Sequence, residues 1–422
     1  MARWLRNAVM ALLLSVIFVP TTMASAEGET STIFGVMVDK DGNPLQGVEF
    51  TITLPDTSET IVTSDATGRW EYVVTVSGSY QVTINPDSLP SGVALTEPDR
   101  VTKSVIVFGL GNALPEMKFL TGDGPERAST FDVAMQLALD GLILGVTIGL
   151  AAVGLSLIFG TTGLTNFAHG ELMTLGAMVA YFLNQLGIHI IPAALLSVGL
   201  SVVLGGFIQD RYLWKPLRKR GTGLIAMLVV SIGLGLAVRY VFLYIFGGDK
   251  MQYQQYSGQA GLQFGPLSIT PKSIVSAAIG VLLIAATVAW LLKSAMGKAS
   301  RAVADNPALA SASGIDVEKV ISTVWMLGAG LAAYAGVIMG MNQGVQFIMG
   351  SDILLLIFAA VTLGGLGTAY GAIVGSLIVG LFVQLSTLFI PTELKYVGAL
   401  FVLIVILLVR PQGILGRKER IG

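Results

Sequence analysis

Between two apolar stretches lies the decapeptide GLTNFAHGEL, residues 163 to 172, which holds Asn166, His169 and Glu171. Polar and ionisable side chains are costly in hydrocarbon, so inside membrane segments they mark a pathway or an interhelical hydrogen bond. A glycine-rich break exposes backbone groups, which is tolerated where they are buried in protein or line a cavity. Asn166 and His169 can satisfy such groups, and Glu171, opening the next helix, complements its positive end. Two uses stay open: pinning helices together, or lining a translocation path. A second break, GGLGTAYG (364–371), weakly echoes the first and suggests pseudo-symmetric halves. The residues expected at the helix breaks or on a path are therefore Asn166, His169, Gly170, Glu171, Gly364 and Gly365. For Gly170, Gly176, Gly364, Gly365, Gly371 and Gly375, close helix approach is a better account than chemistry.

Composition narrows the classes of function. Of the 422 residues, 53% are hydrophobic and 12% charged, against about 25% charged in a soluble domain, which points to a membrane protein. Twenty-five Lys and Arg nearly balance 26 Asp and Glu, so net charge gives no argument for nucleic acid. There is no cysteine, and His169 and His189 are the only histidines. Disulfides, thiolate zinc sites and cysteine nucleophiles are excluded, and neither a metal nor a cofactor is expected.

Three regions follow one another. Residues 1–26 have a basic start at Arg3 and Arg6, a short apolar run and a small-x-small end at Ala24-Ser25-Ala26. That pattern reads as a secretory signal cut after Ala26; an uncleaved anchor is the alternative. Residues 27–122 alternate at strand period in IFGVMV, GVEFTITL, RWEYVVTV and SYQVTI, separated by turn chemistry in DKDGNPLQG, DATGRW and NPDSLPSG. This predicts an exported antiparallel β-sandwich of seven or so strands, with no catalytic set and the expected role of spacer or docking module. TGDGPERAST (121–130) is the expected linker.

From residue 131 to 422 the chain is expected to be a polytopic helical membrane domain. Apolar segments suited to a bilayer, about 20 residues each, fall near 139–160, 171–187, 190–209, 222–246, 273–293, 320–342, 353–369, 371–390 and 396–410, with 171–187 and 353–369 short or glycine-interrupted. About eight crossings are expected. The basic loops DRYLWKPLRKR, KSAMGKASR and RPQGILGRKER belong in the cytoplasm by the positive-inside rule. Starting from an exported sandwich, three crossings reach Arg211, two reach Lys293 and three more reach Arg410.

The loop KSAMGKASRAVADNPALASASGIDVEKV carries a helix start at Asp305-Asn306-Pro307, a small-residue helix, and Gly314 placed to end it in the left-handed conformation. A slim cytoplasmic helix of this kind can enter a socket on another protein, or simply connect two spans.

These residues resemble a family. Gly297-x-x-x-Arg301-Ala302-x-Ala304-x-Asn306, with Ala310 and Gly314-Ile315 after it, is similar to the coupling loop of LivH-type permeases of branched-chain amino acid ABC importers. GLTNFAHGELMTLGAMVA, TLGGLGTAYGAIVGSLIVG and VRPQGILG match further signatures of that family in order. The resemblance implies that Arg301, Ala304, Asp305, Asn306, Gly314 and Ile315 form the ATPase coupling loop. It also implies two cytoplasmic ATPases, a second permease, an extracytoplasmic solute-binding protein and an amino-acid substrate. The absence of a Walker-type phosphate loop agrees that hydrolysis belongs to other subunits, so this chain is not itself expected to be an enzyme. The sandwich resembles carboxypeptidase-regulatory-like and prealbumin-like modules, and usual permeases of the family lack it. A urea or short-amide permease is the nearest alternative. An ion-coupled secondary transporter and a membrane-anchored adhesin are the others, disfavoured by carboxylate-poor spans and by more spans than an anchor needs.

Overall fold

A computed structural model describes residues 30–39, 42–96, 101–107, 116–119, 121, 129–256, 259–409 and 413–415. The signal segment, most of the linker and most of the basic C-terminal stretch lie outside the described residues. The chain divides into two units, residues 1–128 and 129–422.

In the first unit, strands β1 (Ser31–Val36) and β4 (Arg69–Val74) pair antiparallel, while β2 (Glu49–Thr53), β3 (Glu59–Thr63), β5 (Gly78–Ile84) and β6 (Thr102–Val107) form a second antiparallel sheet in the order β3-β2-β5-β6. Six strands are thus described where seven or so were expected. Alternation sorts side chains by face: Ile33 points inward from β1, Phe50 and Ile52 from β2, Tyr80, Val82 and Ile84 from β5. Phe50 of one sheet stacks on Trp70 of the other at 4.5 Å between ring centroids, which joins the sheets through a shared core. Burying each such side chain contributes about 1.5–3 kcal/mol. The turns follow their sequence signals: Asp65 Oδ1 accepts from the Thr67 and Arg69 amides, and Gly68 takes φ +75°.

The second unit is helical: α1 (Thr130–Thr162), α2 (His169–Gln185), α3 (Ile190–Lys219), α4 (Leu224–Phe246), a β7–β8 hairpin (Leu262–Phe264, Leu267–Ile269), α5 (Pro271–Lys293), α6 (Ala295–Asp305), α7 (Pro307–Ala312), α8 (Val317–Gln343), α9 (Met349–Gly364), α10 (Ala369–Leu385) and α11 (Lys395–Val409). Six helices, α1, α3, α4, α5, α8 and α10, are long and apolar enough to cross a membrane; α9 is a shorter apolar helix and α2 spans 17 residues. α1 and α8 form the buried centre.

Contacts between helix ends define two faces. On one, Arg218 bonds Asp210 and Glu318, α6 lies against α8, and Ile414 donates to the Leu363 carbonyl. On the other, Asn184 bonds Gln255, Met251 pairs with Val345, and Lys272 donates to the Met341 carbonyl. Among the described residues, nine helices make up the bundle: the six long ones and the shorter α2, α9 and α11. Four of them, α8 to α11, separate Lys293 from the C-terminal stretch, where three were expected. The odd total puts the start of α1 on one face and the end of α11 on the other.

Candidate functional site

α1 ends at Gly163, whose φ of +69° places it in the left-handed conformation, and its N–H closes on the Phe159 carbonyl. The chain then runs without regular structure, through a turn at Phe167 and Ala168, to α2. Asn166 and His169 are fully buried and Glu171 is 3% exposed. Asn166 Oδ1 accepts from the Ala168 amide at 3.0 Å, and His169 Nε2 donates to the Ala151 carbonyl of α1 at 2.9 Å. Asn166 thus bonds a backbone group at the break itself, whereas His169 reaches back to a carbonyl within α1. The Phe167 amide donates to Ser231 of α4.

Glu171 does more than complement a helix end. Arg239 of α4 donates from Nε and Nη2 to its Oε1 at 3.0 and 2.9 Å. Sequence reasoning missed Arg239. One signal could have found it: a lone arginine within a 23-residue apolar helix needs a buried or aqueous partner, and few carboxylates are on offer. Three buried polar atoms here have no hydrogen-bond partner among the described residues: Asn166 Nδ2, His169 Nδ1 and Glu171 Oε2.

Gly170 lies in the first turn of α2 and Gly350 in the first turn of α9, so close that a Cβ on either would collide with the other's carbonyl group. The Gly350 amide donates to Thr174 Oγ1 at 3.2 Å. Two helix N-termini thus meet, and each has one acidic residue in its first turn, Glu171 and Asp352. Such placement is favourable, because a helix N-terminus carries partial positive charge. Gly364 and Gly365 sit at the other end of α9, about 21 Å from Gly350 at 1.5 Å per residue. There Gly364 packs against Gly371, and its carbonyl accepts from Leu415. The two breaks therefore form separate places in the fold, linked through α1, whose Gly160 approaches Gly367.

The loop after α5 is built as its residues predict. Ser294 caps α6 by accepting from Gly297, and Asn306 caps α7 by accepting from Leu309 at 3.0 Å, with Pro307 in the first turn. Gly314 has φ +85°, and the pair of bonds Gly314 N–H to Ser311 and Ile315 N–H to Ala310 closes α7 as a Schellman motif. Val303, Ala310 and Val320 form a small core, lined by Ile315, that fixes α6 and α7 against α8. Arg301, Ala304, Asp305, Asn306 and Gly314 remain exposed, and so does Leu309 at 64%, an apolar tip that the sequence reading did not single out.

Residues 137–409 match the family described as "Branched-chain amino acid transport system / permease component". The chain belongs to this permease family. The high-affinity branched-chain amino acid transport system permease protein LivH of Salmonella typhimurium is 33% identical over 310 residues, covering 68% of this chain and 96% of that protein. The probable permease LivH of Methanocaldococcus jannaschii is 32% identical, covering 68% and 94%. LivM of Escherichia coli is 25% identical, covering 68% and 70%. Among solved structures, PsaBC from Streptococcus pneumoniae in complex with Fab reaches a TM-score of 0.38 at 14% identity over 65% of this chain and 92% of that one, too weak a likeness to define a fold. The family span contains both breaks and the α6–α7 loop; the sandwich unit lies outside it.

Proposed function

We propose that this chain is the permease subunit of an ABC importer that carries branched-chain or closely related amino acids. The observation that carries the reading is the family match over nearly the whole helical unit, with relatives named for that transport accounting for 94–96% of their own length. A permease of this kind works with two cytoplasmic ATPases, a second permease and an extracytoplasmic solute-binding protein. The similarity to LivM supports a heterologous second permease of the same family. Charge supports the orientation: Arg211, Lys215, Arg218, Lys219 and Arg220 gather with Lys293 and Arg301 at one face, which the positive-inside rule puts in the cytoplasm. The first unit is then extracytoplasmic.

On this reading α6 and α7 form the coupling element. Arg301, Ala304, Asp305 and Asn306 present a polar surface around the Leu309 tip, and Gly314 and Ile315 set the angle at which the hairpin returns to α8. ATP-driven movement in the partner reaches α8 through the Val303–Ala310–Val320 contact. The sandwich, directly preceding α1 in sequence, docks or shields the binding protein. Affinity purification of the tagged chain from native membrane, with mass spectrometry, tests the assembly. Two ATPases, a second permease and a binding protein are expected; recovery of the chain alone under conditions that preserve other transporters would refute it. Deleting residues 30–120 without loss of uptake or binding-protein association would refute the sandwich role.

A further inference from the structure

Arg239 lies about 10 Å inside the nearer end of α4, at 1.5 Å per residue. An arginine at that depth can extend towards the interface, yet this one is turned to Glu171. Its geometry is incomplete. A fork-to-fork pair uses both carboxylate oxygens; here both donors go to Oε1, and Oε2 is buried without a partner. The side chain of Arg239 is 25% exposed against 4% for Glu171. Asp352 is exposed, and the contact of Gly170 with Gly350 brings its helix turn against the turn that carries Glu171. Ionisable side chains within a membrane domain almost always face the bundle interior or a water-filled cavity. The open side of this cluster therefore borders water or protein.

We infer that Glu171, Arg239 and Asp352 form a site on the translocation path for the zwitterionic head of an α-amino acid. The inference rests on the proposed importer function and specifies its solute chemistry. The solute carboxylate takes the Arg239 guanidinium, and its ammonium takes Glu171 Oε2 and Asp352. The solute's own opposite charges replace the internal pair as it passes, so no charge is stranded in a low-dielectric setting. Two helix N-termini hold the carboxylates in place. A neutral amide brings neither charge and makes no use of a guanidinium and two carboxylates.

The chain has no native cysteine, so Asp352→Cys gives it a single thiol. The probe is a membrane-impermeant cationic methanethiosulfonate, applied to the whole transporter in membrane vesicles. Leu282→Cys, on the exposed apolar face of α5, is the reference. The Asp352→Cys thiol should label at least tenfold faster than the Leu282→Cys thiol. Equal rates at both positions would overturn the site. In uptake, Arg239→Gln should lose at least tenfold and Arg239→Lys should recover part of it, with the complex still co-purifying. Swapping the charges, Glu171→Arg with Arg239→Glu, keeps an interhelical pair but reverses the site, so uptake should stay low. Full uptake by the swap would show a pin alone and overturn the inference. Failure of the unsubstituted transporter to import any amino acid would overturn the function on which the site rests, whereas equal uptake by Arg239→Gln and the parent would overturn only the site.

Discussion

In the sandwich the largest side chains meet: Phe50, Trp70 and Tyr80 are almost wholly buried, and the two sheets are held apart by their bulk. In the helical unit the closest contacts are made where there is no side chain at all, with Gly170 on Gly350, Gly176 on Ala333 and Gly364 on Gly371. The contrast follows from the solvent. The sandwich gains free energy by removing apolar area from water. Helices in lipid gain nothing from that exchange, so they associate through close backbone approach and a few interhelical hydrogen bonds. The same chain therefore writes stability in large residues in one region and in small ones in the other, and a glycine-to-valine change is as disruptive in the second as a tryptophan-to-alanine change is in the first.

The sharpest way to break that comparison is Gly350→Val. It forces α2 and α9 apart, and the expected result is loss of monodisperse detergent-solubilised protein; a normal elution profile would contradict it. Trp70→Ala should destabilise the sandwich by about 3–5 kcal/mol, the usual cost of emptying a large aromatic site. Limited proteolysis within residues 30–96 checks this, and an unchanged cleavage rate would show that the two sheets do not depend on that core. Gly314→Pro acts on neither core. Proline requires φ near −65° and the site has +85°, so the hairpin return is lost while the spans remain. Assembly should persist, ATP hydrolysis should no longer drive uptake, and normal uptake would remove the coupling assignment. Asn306→Ala removes the α7 cap and should cost about 0.5–2 kcal/mol locally, read as faster amide exchange over residues 307–312.

The smallest effect concerns pH. Hydrogen bonds from the Thr67 hydroxyl and amide hold the Asp65 carboxyl below its ordinary range. A depressed folded-state value adds stability above the unfolded value and loses it as pH falls through the folded one. Asp65→Asn should flatten the acid side of the sandwich's stability profile; an unchanged profile would show that the turn does not contribute.

Much of this was legible in sequence because it is local. Strand alternation, the Asn306-Pro307 start and the Gly314 stop each depend on residues within a few positions, and each appears in the structure as expected. The apolar segments were legible too, since each of the nine stretches coincides with a helix among the described residues. The pairing of Glu171 with Arg239 was not, because it joins residues far apart in sequence and no spacing encodes it. The same holds for the stack of Trp214 on Trp325 at 5.5 Å and for the wide π-type winding of α3 at 202–208, where Gly205 and Gly206 let Leu172 and Met326 approach. Pseudo-symmetry between the two breaks was read from their glycines, yet one break extends into a polar cluster and the other is a tight glycine-on-glycine turn.

On the proposed function, this chain conducts amino acids while separate ATPases supply the energy. The most direct measurement is uptake by liposomes that contain the purified complex and its binding protein, with ATP inside and either labelled leucine or labelled urea outside. ATP-dependent accumulation of leucine and none of urea is expected. Accumulation of urea, or leucine uptake that an ion gradient drives without ATP, would contradict it.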